Sequence, residues 1–274
     1  MQFMQTFRIS VFTIKDELHY RSFYVMAIIA VLLVLMMRGC FSSDVVVNDQ
    51  RLDPVTIGYH ASIIAFHLVT AAGTLIGILL AMRVLKRDSD NGMQIAIMSR
   101  PVSRFQYAAA KVAGTWLLSY GLTFILHLTI YIIMWINTGG RIPLFMTASL
   151  LTSLNVLFGV TGVMFFSLIM PDVIAALLGI TIIFVSFISD SFYAVSQTEI
   201  GRSIMEQIQQ GEFSIAPWRI LWPKAAALQY YASSLIQNDT FIYAGPVHPV
   251  FNIFVYCLAG FVFLSMRFYK EEIR

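Results

Sequence analysis

Apolar residues occur along this chain in long runs that short polar segments separate. A run of about 18 or more apolar residues is long enough to cross the hydrocarbon core of a bilayer as a helix. The intervals between charged residues give six candidate spans, at residues 22–37, 54–82, 112–140, 142–171, 173–189 and 250–266. The first has only 16 residues, but Arg21 and Arg38 flank it and can extend toward the headgroups. The pattern predicts an all-α integral membrane fold with six transmembrane helices in a single domain, residues 1–274.

The segment before the first span has a different periodicity. On a helix, its apolar residues share one face, at Phe3, Phe7, Val11, Ile14 and Leu18. Such a stripe favours an amphipathic interfacial helix over residues 1–20, lying along the membrane surface. An ordinary packed amphipathic helix is compatible with the same stripe.

Composition and charge then set the class and the orientation. The chain is 58% hydrophobic and 12% charged, whereas soluble domains carry about 25% charged residues, so a water-soluble fold is excluded. With the N-terminus inside, twelve of the eighteen Lys and Arg residues fall in the inner segments, which predicts that both termini are cytoplasmic. The basic residues flank the spans, so we expect no nucleic-acid partner.

The longest predicted cytoplasmic connection covers residues 83–111. Asp88 and Asp90 suit the N-terminus of a short helix electrostatically, and the apolar residues that follow fall on more than one of its faces. Pro101 ends that helix, and Ser103 with Gln106 forms a capping box for a second one. The sequence therefore predicts a helix, a break and a capped helix.

Two other connections differ sharply in length. Residues 170–172 form a tight turn that makes spans four and five a hairpin. The outer segment, residues 190–249, contains a second capping box at Ser196 and Glu199 and a stop at Gly211, which predict a surface helix. Residues 225–236 are apolar but too short to span, which indicates a re-entrant or interfacial helical element before the last span.

Chemical motifs are scarce. Every charged residue can be placed in a loop or at a span end, so an ion-coupled carrier is disfavoured, and no G-x-x-x-x-G-K-[ST] loop for ATP is present. His60, His67 and His127 are the candidate metal or haem ligands, but no carboxylate or thiolate completes a usual site near them. The spacing of Gly73 and Gly77 allows close approach of another helix.

The 83–111 loop resembles that of the permeases of the ABC type 2 export family. The family pattern is acidic-x-acidic-x-Gly-Thr, an apolar run, Ser-x-Pro-x-Ser-Arg, and then Tyr and Lys entering span three. This chain has residues 88–93 as Asp-Ser-Asp-Asn-Gly-Met, residues 99–104 as Ser-Arg-Pro-Val-Ser-Arg, and then Tyr107 and Lys111. It departs from the pattern in having Asp where Glu is usual and Met93 where Thr is usual.

That resemblance implies that the loop docks on a separate nucleotide-binding subunit and that the chain is the permease of an exporter. The implied ATPase-coupling residues are Asp88, Asp90, Gly92, Met93, Ile97, Ser99, Arg100, Pro101 and Arg104. Spans two and five would lie near a subunit interface, and the implied substrate-path residues are Tyr59, His60, His67, Thr70, Phe184, Phe187 and Tyr193. The cargo is not specified by the sequence.

The same resemblance implies the partners and the location. We expect an ABC ATPase subunit, a second permease copy or a related permease, and the lipid bilayer, in a plasma membrane such as the bacterial inner membrane. ATP and Mg²⁺ would bind in the partner, with no metal or cofactor in this chain and no catalytic residue. Two alternatives stay open: a non-transporting membrane subunit that couples an ATPase to another complex, and a His-ligated metal or haem membrane protein.

Overall fold

The computed structural model describes residues 2–37, 46–47, 50–51, 54–99, 101–138, 142–196, 222–241 and 247–270. Within these ranges the chain forms nine helices and one minimal ribbon. The helices are α1 (Gln2–His19), α2 (Arg21–Met37), α3 (Pro54–Asp90), α4 (Met93–Met98), α5 (Arg104–Thr138), α6 (Phe145–Ser167), α7 (Asp172–Ser196), α8 (Ala225–Gln237) and α9 (Pro249–Lys270). The ribbon pairs β1 (Val46–Val47) antiparallel with β2 (Gln50–Arg51).

The helix lengths confirm an all-α membrane fold. Five helices, α3, α5, α6, α7 and α9, are long and apolar enough to cross a membrane. α2 has 17 residues and follows α1 across a bend of 78°. Counting that bent pair as one span gives the predicted number of six.

The long helix α3 changes the interpretation of the 83–111 loop. With 37 residues, it is about 55 Å long and exceeds the ~30 Å hydrocarbon core, so it continues past the predicted end of span two at residue 82. Asp88 and Asp90 lie in its last turn, and the prediction that they begin a separate short helix is wrong. The chain leaves α3 through Gly92, whose φ of 68° glycine adopts without steric cost.

The predicted capping box and the predicted tight turn at this end of the bundle are confirmed. The Ser103 amide donates to Gln106 Oε1 at 3.0 Å and the Gln106 amide donates to Ser103 Oγ at 3.2 Å, which is a reciprocal capping box. α6 and α7 form a hairpin across the short turn that contains Pro171. We call this end, with α4 and the C-terminal ends of α3 and α9, the α4 end, and the opposite end the α8 end.

Close packing of α3 against α5 and α6 forms the centre of the bundle. Gly73 lies against Thr123 of α5, and Gly77 lies against Val156 and Val160 of α6. A Cβ atom at Gly73 would overlap the Thr123 side chain. The two glycines therefore allow the helix approach that their spacing predicted.

The N-terminal helix α1 turns a polar side toward α5. Thr13 and Glu17 are buried, and Ser10 Oγ donates to the Ala110 carbonyl at 3.1 Å. Phe7, on the apolar stripe, is 61% exposed. Val11, Ile14 and Leu18 of the same stripe are half-buried, and Leu18 packs on the core. Phe7 is thus available to lipid, and the interfacial position of α1 stays a prediction.

The short helix α8 descends into the bundle. It has 13 residues, about 20 Å, too short to span. Asn155 Nδ2 donates to the Ala225 carbonyl at 2.9 Å, and Asn155 lies ten residues into α6, whereas Tyr59 at the start of α3 donates to the Ile236 carbonyl at 3.2 Å. The N-terminus of α8 is thus deep in the bundle and its C-terminus lies at the end, which is the geometry of the predicted re-entrant element.

Polar side chains of the neighbouring spans accept hydrogen bonds from the backbone N–H groups at the buried N-terminus of α8. The Lys224 amide donates to Asn252 Oδ1 at 2.9 Å, the Ala225 amide to Ser186 Oγ at 3.1 Å and the Ala227 amide to Asp190 Oδ2 at 3.0 Å. Asp190 and Lys224 are 7% and 3% exposed. Asp190 is buried, but it lies directly after the predicted span at 173–189 and one residue before the end of the observed span, Asp172–Ser191. It therefore agrees with the expectation that charged residues lie in loops or at span ends. The predicted surface helix from Ser196 to Gly211 lies outside the described residues, except for Ser196 at the end of α7.

Packing at Gly73 generates a stability prediction. Gly73→Ala places a methyl group against Thr123, so we expect the free energy of unfolding to fall by about 1–3 kcal/mol. Gly121→Ala in α5 is the matched control, because a Cβ there meets nothing within 4 Å. Thermal unfolding in detergent compares them, and Thr123→Ala combined with Gly73→Ala should recover part of the loss. Equal losses for the two single variants would contradict this packing.

Candidate functional site

The helix α4 has one buried side and one exposed side. Gln94 is 5% exposed, and Ile97 and Met98 pack on the core cluster at the α4 end. Ile95 is 48% exposed. We call the exposed side, with its flanking residues, the α4 surface: Asp90, Ile95, Ala96, Ser99 and Pro101. Three of these, Asp90, Ser99 and Pro101, are among the residues that the resemblance implied, whereas the exposure of Ile95 was not anticipated.

Other predicted coupling residues flank this surface. Gly92 and Met93 are half-buried at the start of α4, where Gly92 makes the turn, and Ile97 is half-buried on the inner side. Arg100 lies outside the described residues.

Asp88 is internal. Its carboxylate lies 2.6 Å from the Lys111 ammonium, and the Tyr107 hydroxyl donates to it at 2.5 Å. The side chains of Asp88 and Lys111 are 1% and 0% exposed. The ring of Tyr107 in turn stacks on Phe268 of α9. Asp88 therefore joins α3 to α5 and does not belong to the α4 surface.

A second group of charges joins α3 to α1. The Arg87 guanidinium lies 2.7 Å from the carboxylate of Asp16 and 2.5 Å from that of Glu17, and it stacks over the ring of Tyr20. Burial raises the pKa of Glu17, while the hydrogen bond and positive charge of Arg87 act in the opposite direction. No spacing pattern predicted this group, because Arg87 is about 70 residues from Asp16 and Glu17.

Arg104 ties the second half of the loop to the last helix. Its guanidinium donates to the carbonyl of Tyr269 at 2.6 Å and to that of Phe268 at 3.3 Å. A cation at a helix C-terminus satisfies carbonyls that lack partners and complements the helix dipole. Arg104 thus anchors α9, and the exposed part of the loop is the α4 surface.

A cavity lies between α1 and α4, with a volume of about 420 Å³. Apolar side chains of both helices line it, and Arg8 supplies its only formal charge among the lining residues Gln5, Arg8, Ile9, Phe12, Met93, Ala96, Ile97 and Val102. The cavity adjoins the α4 surface through Ala96. The α4 end therefore presents an exposed apolar side chain, Ile95, beside a concave apolar surface.

The predicted path residues do not share one surface. Tyr59, His60, His67 and Thr70 lie on α3, and Phe184, Phe187 and Tyr193 lie on α7. Thr70 is buried, 3.4 Å from His127 Nε2, whereas His60 is exposed and Phe184 is 63% exposed. His67 is half-buried beside the ring of Tyr230 in α8, and Phe187 is also half-buried. The path role stays a prediction.

The histidines of the predicted alternative have ordinary partners. His127 is fully buried, with Nδ1 2.8 Å from Ser149 Oγ and its ring stacked on Phe66. In the part of the chain that the structure describes, no three His, Cys, Asp or Glu residues lie close enough together to hold a metal ion.

Comparison with known proteins gives the family. A family model described as ABC-2 family transporter protein matches residues 18–194, well over half of the chain. That range contains α2 to α6, the 83–111 loop and all but the last two residues of α7. None of the curated proteins compared with the chain matches it. With its membrane-spanning helices and this match, the chain belongs to the ABC-2 transporter family and is a multi-pass membrane permease of an ABC-type transporter.

Proposed function

We propose that this permease binds a separate nucleotide-binding ATPase subunit through its α4 surface and that ATP hydrolysis in that subunit drives export across the membrane. ATP and Mg²⁺ would bind in the partner. The observation that carries the proposal is the two-sided placement of α4, whose inner side packs on the bundle while Ile95 is 48% exposed. Ile95 lies beside the apolar cavity between α1 and α4, and a contiguous exposed apolar surface favours a protein contact.

The surroundings of Ile95 support the same partner surface. An apolar side chain that enters a pocket on the partner can contribute much of the binding free energy of an interface. The cavity between α1 and α4 could in turn receive an apolar side chain of the ATPase, with Arg8 placed for an acidic neighbour. The projecting side chain of Ile95 and the cavity between α1 and α4 would together fix the orientation of the ATPase subunit.

Charge pairs at the α4 end would pass movement of the ATPase subunit to the spans; the Asp88–Lys111 pair is fully buried and the Arg87–Asp16 pair is half-buried. α4 follows directly after the last turn of α3, where Asp88 is paired with Lys111 of α5 and Arg87 is paired with Asp16 and Glu17 of α1. Separating a buried pair leaves an uncompensated charge, which costs about 3–5 kcal/mol. A force on α4 is therefore expected to move α1, α3 and α5 together.

The remaining assignments are also proposals. We place the α4 end and both termini in the cytoplasm, since twelve of eighteen basic residues fall on that side, and the permease in a bacterial inner membrane. A second permease copy or a related permease would complete the transporter. The exposed apolar side chains of α3 and α7, such as Ile64 and Phe184, are available for that contact.

The first prediction of this proposal concerns binding of the ATPase. Ile95→Asp puts a charge at the centre of the α4 surface, so we expect the affinity for the ATPase to fall at least about tenfold, or about 1.4 kcal/mol. The measurement is co-isolation of the tagged chain from its native membranes in mild detergent, with ATPase activity assayed in the eluate.

Leu144→Asp provides the matched control at the α8 end. Leu144 has the same 48% exposure as Ile95, and its φ of 61° is a conformation that Asp tolerates. Asp90→Ala at the α4 end and Asp239→Ala at the α8 end form a second pair of exposed carboxylates. The proposal fails if ATPase activity co-isolates equally with Ile95→Asp and with Leu144→Asp.

The second prediction concerns the buried pair. Lys111→Met leaves the Asp88 carboxylate without its cation, and we expect it to lower the free energy of unfolding by about 3–5 kcal/mol. Adding Asp88→Asn removes the charge and keeps an acceptor for Tyr107, so the double variant should regain most of that loss. Thermal unfolding in detergent is the measurement. A double variant no more stable than Lys111→Met alone would show that the pair is not what the single variant disrupts.

A further inference from the structure

A second cavity, of about 480 Å³, lies on the side of the bundle between α6, α7 and α9. We call it the lateral groove. Four glycines contribute to its walls: Gly159, Gly162, Gly179 and Gly260. A Cβ atom at Gly162 would meet nothing within 4 Å, whereas one at Gly179 would overlap Val163. Glycine therefore keeps the groove open at Gly162 and lets α6 and α7 approach closely at its back.

The lining of the lateral groove is apolar and has one polar end. It contains no charged residue. Trp222 and Tyr256 lie at the end nearer α8, while Phe166 and Phe263 lie at the end nearer α4. The remaining polar side chain, Thr161, donates its hydroxyl to the Leu157 carbonyl in its own helix. A ligand with a long apolar part and one polar end, directed toward α8, would match this lining.

The size and position of the groove fit a chain of the surrounding lipid. From Tyr256 to Phe263 it follows α9 for seven residues, about 10 Å, or roughly a third of the hydrocarbon core. Its volume falls in the range of about 300–1,000 Å³ that small-molecule sites occupy. Leu258 and Val262, 57% and 45% exposed, continue the apolar surface of α9. In a membrane permease, an exposed apolar surface of this kind is accessible to acyl chains.

We propose that the lateral groove binds one acyl chain of a bilayer phospholipid, with the headgroup toward the α8 end. The chain fills the space that Gly162 leaves open and contacts the aromatic side chains at both ends of the groove. This site lies away from the α4 surface, and it depends on neither the ATPase nor the cargo. Failure of the coupling proposal would leave it unchanged.

Brominated phospholipid provides the test. Trp222 is one of four tryptophans, and replacing Trp116, Trp135 and Trp218 by Phe leaves it as the only indole reporter. The full chain is reconstituted in vesicles of phosphatidylcholine with dibrominated acyl chains, whose bromine atoms quench indole fluorescence on contact. Gly162→Leu adds a side chain inside the groove, and Gly162→Ala adds a methyl group. Gly121→Leu in α5 is the control, since its Cβ also meets nothing within 4 Å and it lies outside the groove lining.

We expect the dibrominated lipid to quench Trp222. Gly162→Leu should reduce that quenching about twofold, because the leucine side chain occupies the open space of the groove and excludes the bound chain. Gly162→Ala should give a smaller reduction, and Gly121→Leu should give none. Equal quenching in Gly162→Leu and Gly121→Leu would mean that Trp222 senses only bulk lipid and would overturn the proposal. Absence of quenching in the parent chain would overturn it as well, because a chain bound in the groove contacts Trp222.

Discussion

The hydrocarbon core of a bilayer offers no water to a backbone N–H group or to a charge, so a group inside the bundle needs its partner within the protein. Within the spans, serine and threonine hydroxyls return to carbonyls one turn earlier, as Ser62, Thr74 and Thr123 do. At the buried start of α8, Asn252, Ser186 and Asp190 accept the N–H groups that a helix N-terminus leaves without partners. These side chains, from two different spans, hold the re-entrant helix at its depth.

The same requirement shapes the α4 end. Asp88 and Lys111 are almost fully buried, and such charges persist only because they face each other across 2.6 Å. Arg104 donates hydrogen bonds to the carbonyls at the end of α9, and Arg87 pairs with the carboxylates of α1. The charges next to the loop therefore connect the helices to one another. The α4 surface then exposes chiefly the apolar side chain of Ile95 and the carboxylate of Asp90. In the proposed mechanism, the paired charges transmit movement between helices, and Ile95 and Asp90 bind the ATPase subunit.

Local patterns predicted the parts of the structure that depend on local chemistry. The lengths of the apolar runs gave the spans, and the Ser103 and Gln106 pattern gave the start of α5, because a cap is made within four residues. The end of α3 follows the local signal of Asn91-Gly92, which is typical of a helix C-terminus. The acidic residues Asp88 and Asp90, which suit a helix N-terminus, predict a boundary that the structure does not have. The residues that pair with Asp88 and Arg87, and those that bind the start of α8, could not be predicted. These contacts join residues 19 to 71 positions apart, and local periodicity carries no information about such distant pairs.

The central claim is that the α4 surface contacts a nucleotide-binding subunit. Its most direct test is photo-crosslinking in native membranes with p-benzoylphenylalanine at position 95, compared with the same residue at position 144. The proposed mechanism predicts a covalent adduct between the position-95 protein and an ATP-hydrolysing subunit, and no such adduct from position 144. If both positions gave the same adducts, or if position 95 cross-linked to lipid alone, the α4 surface would not be the site of coupling.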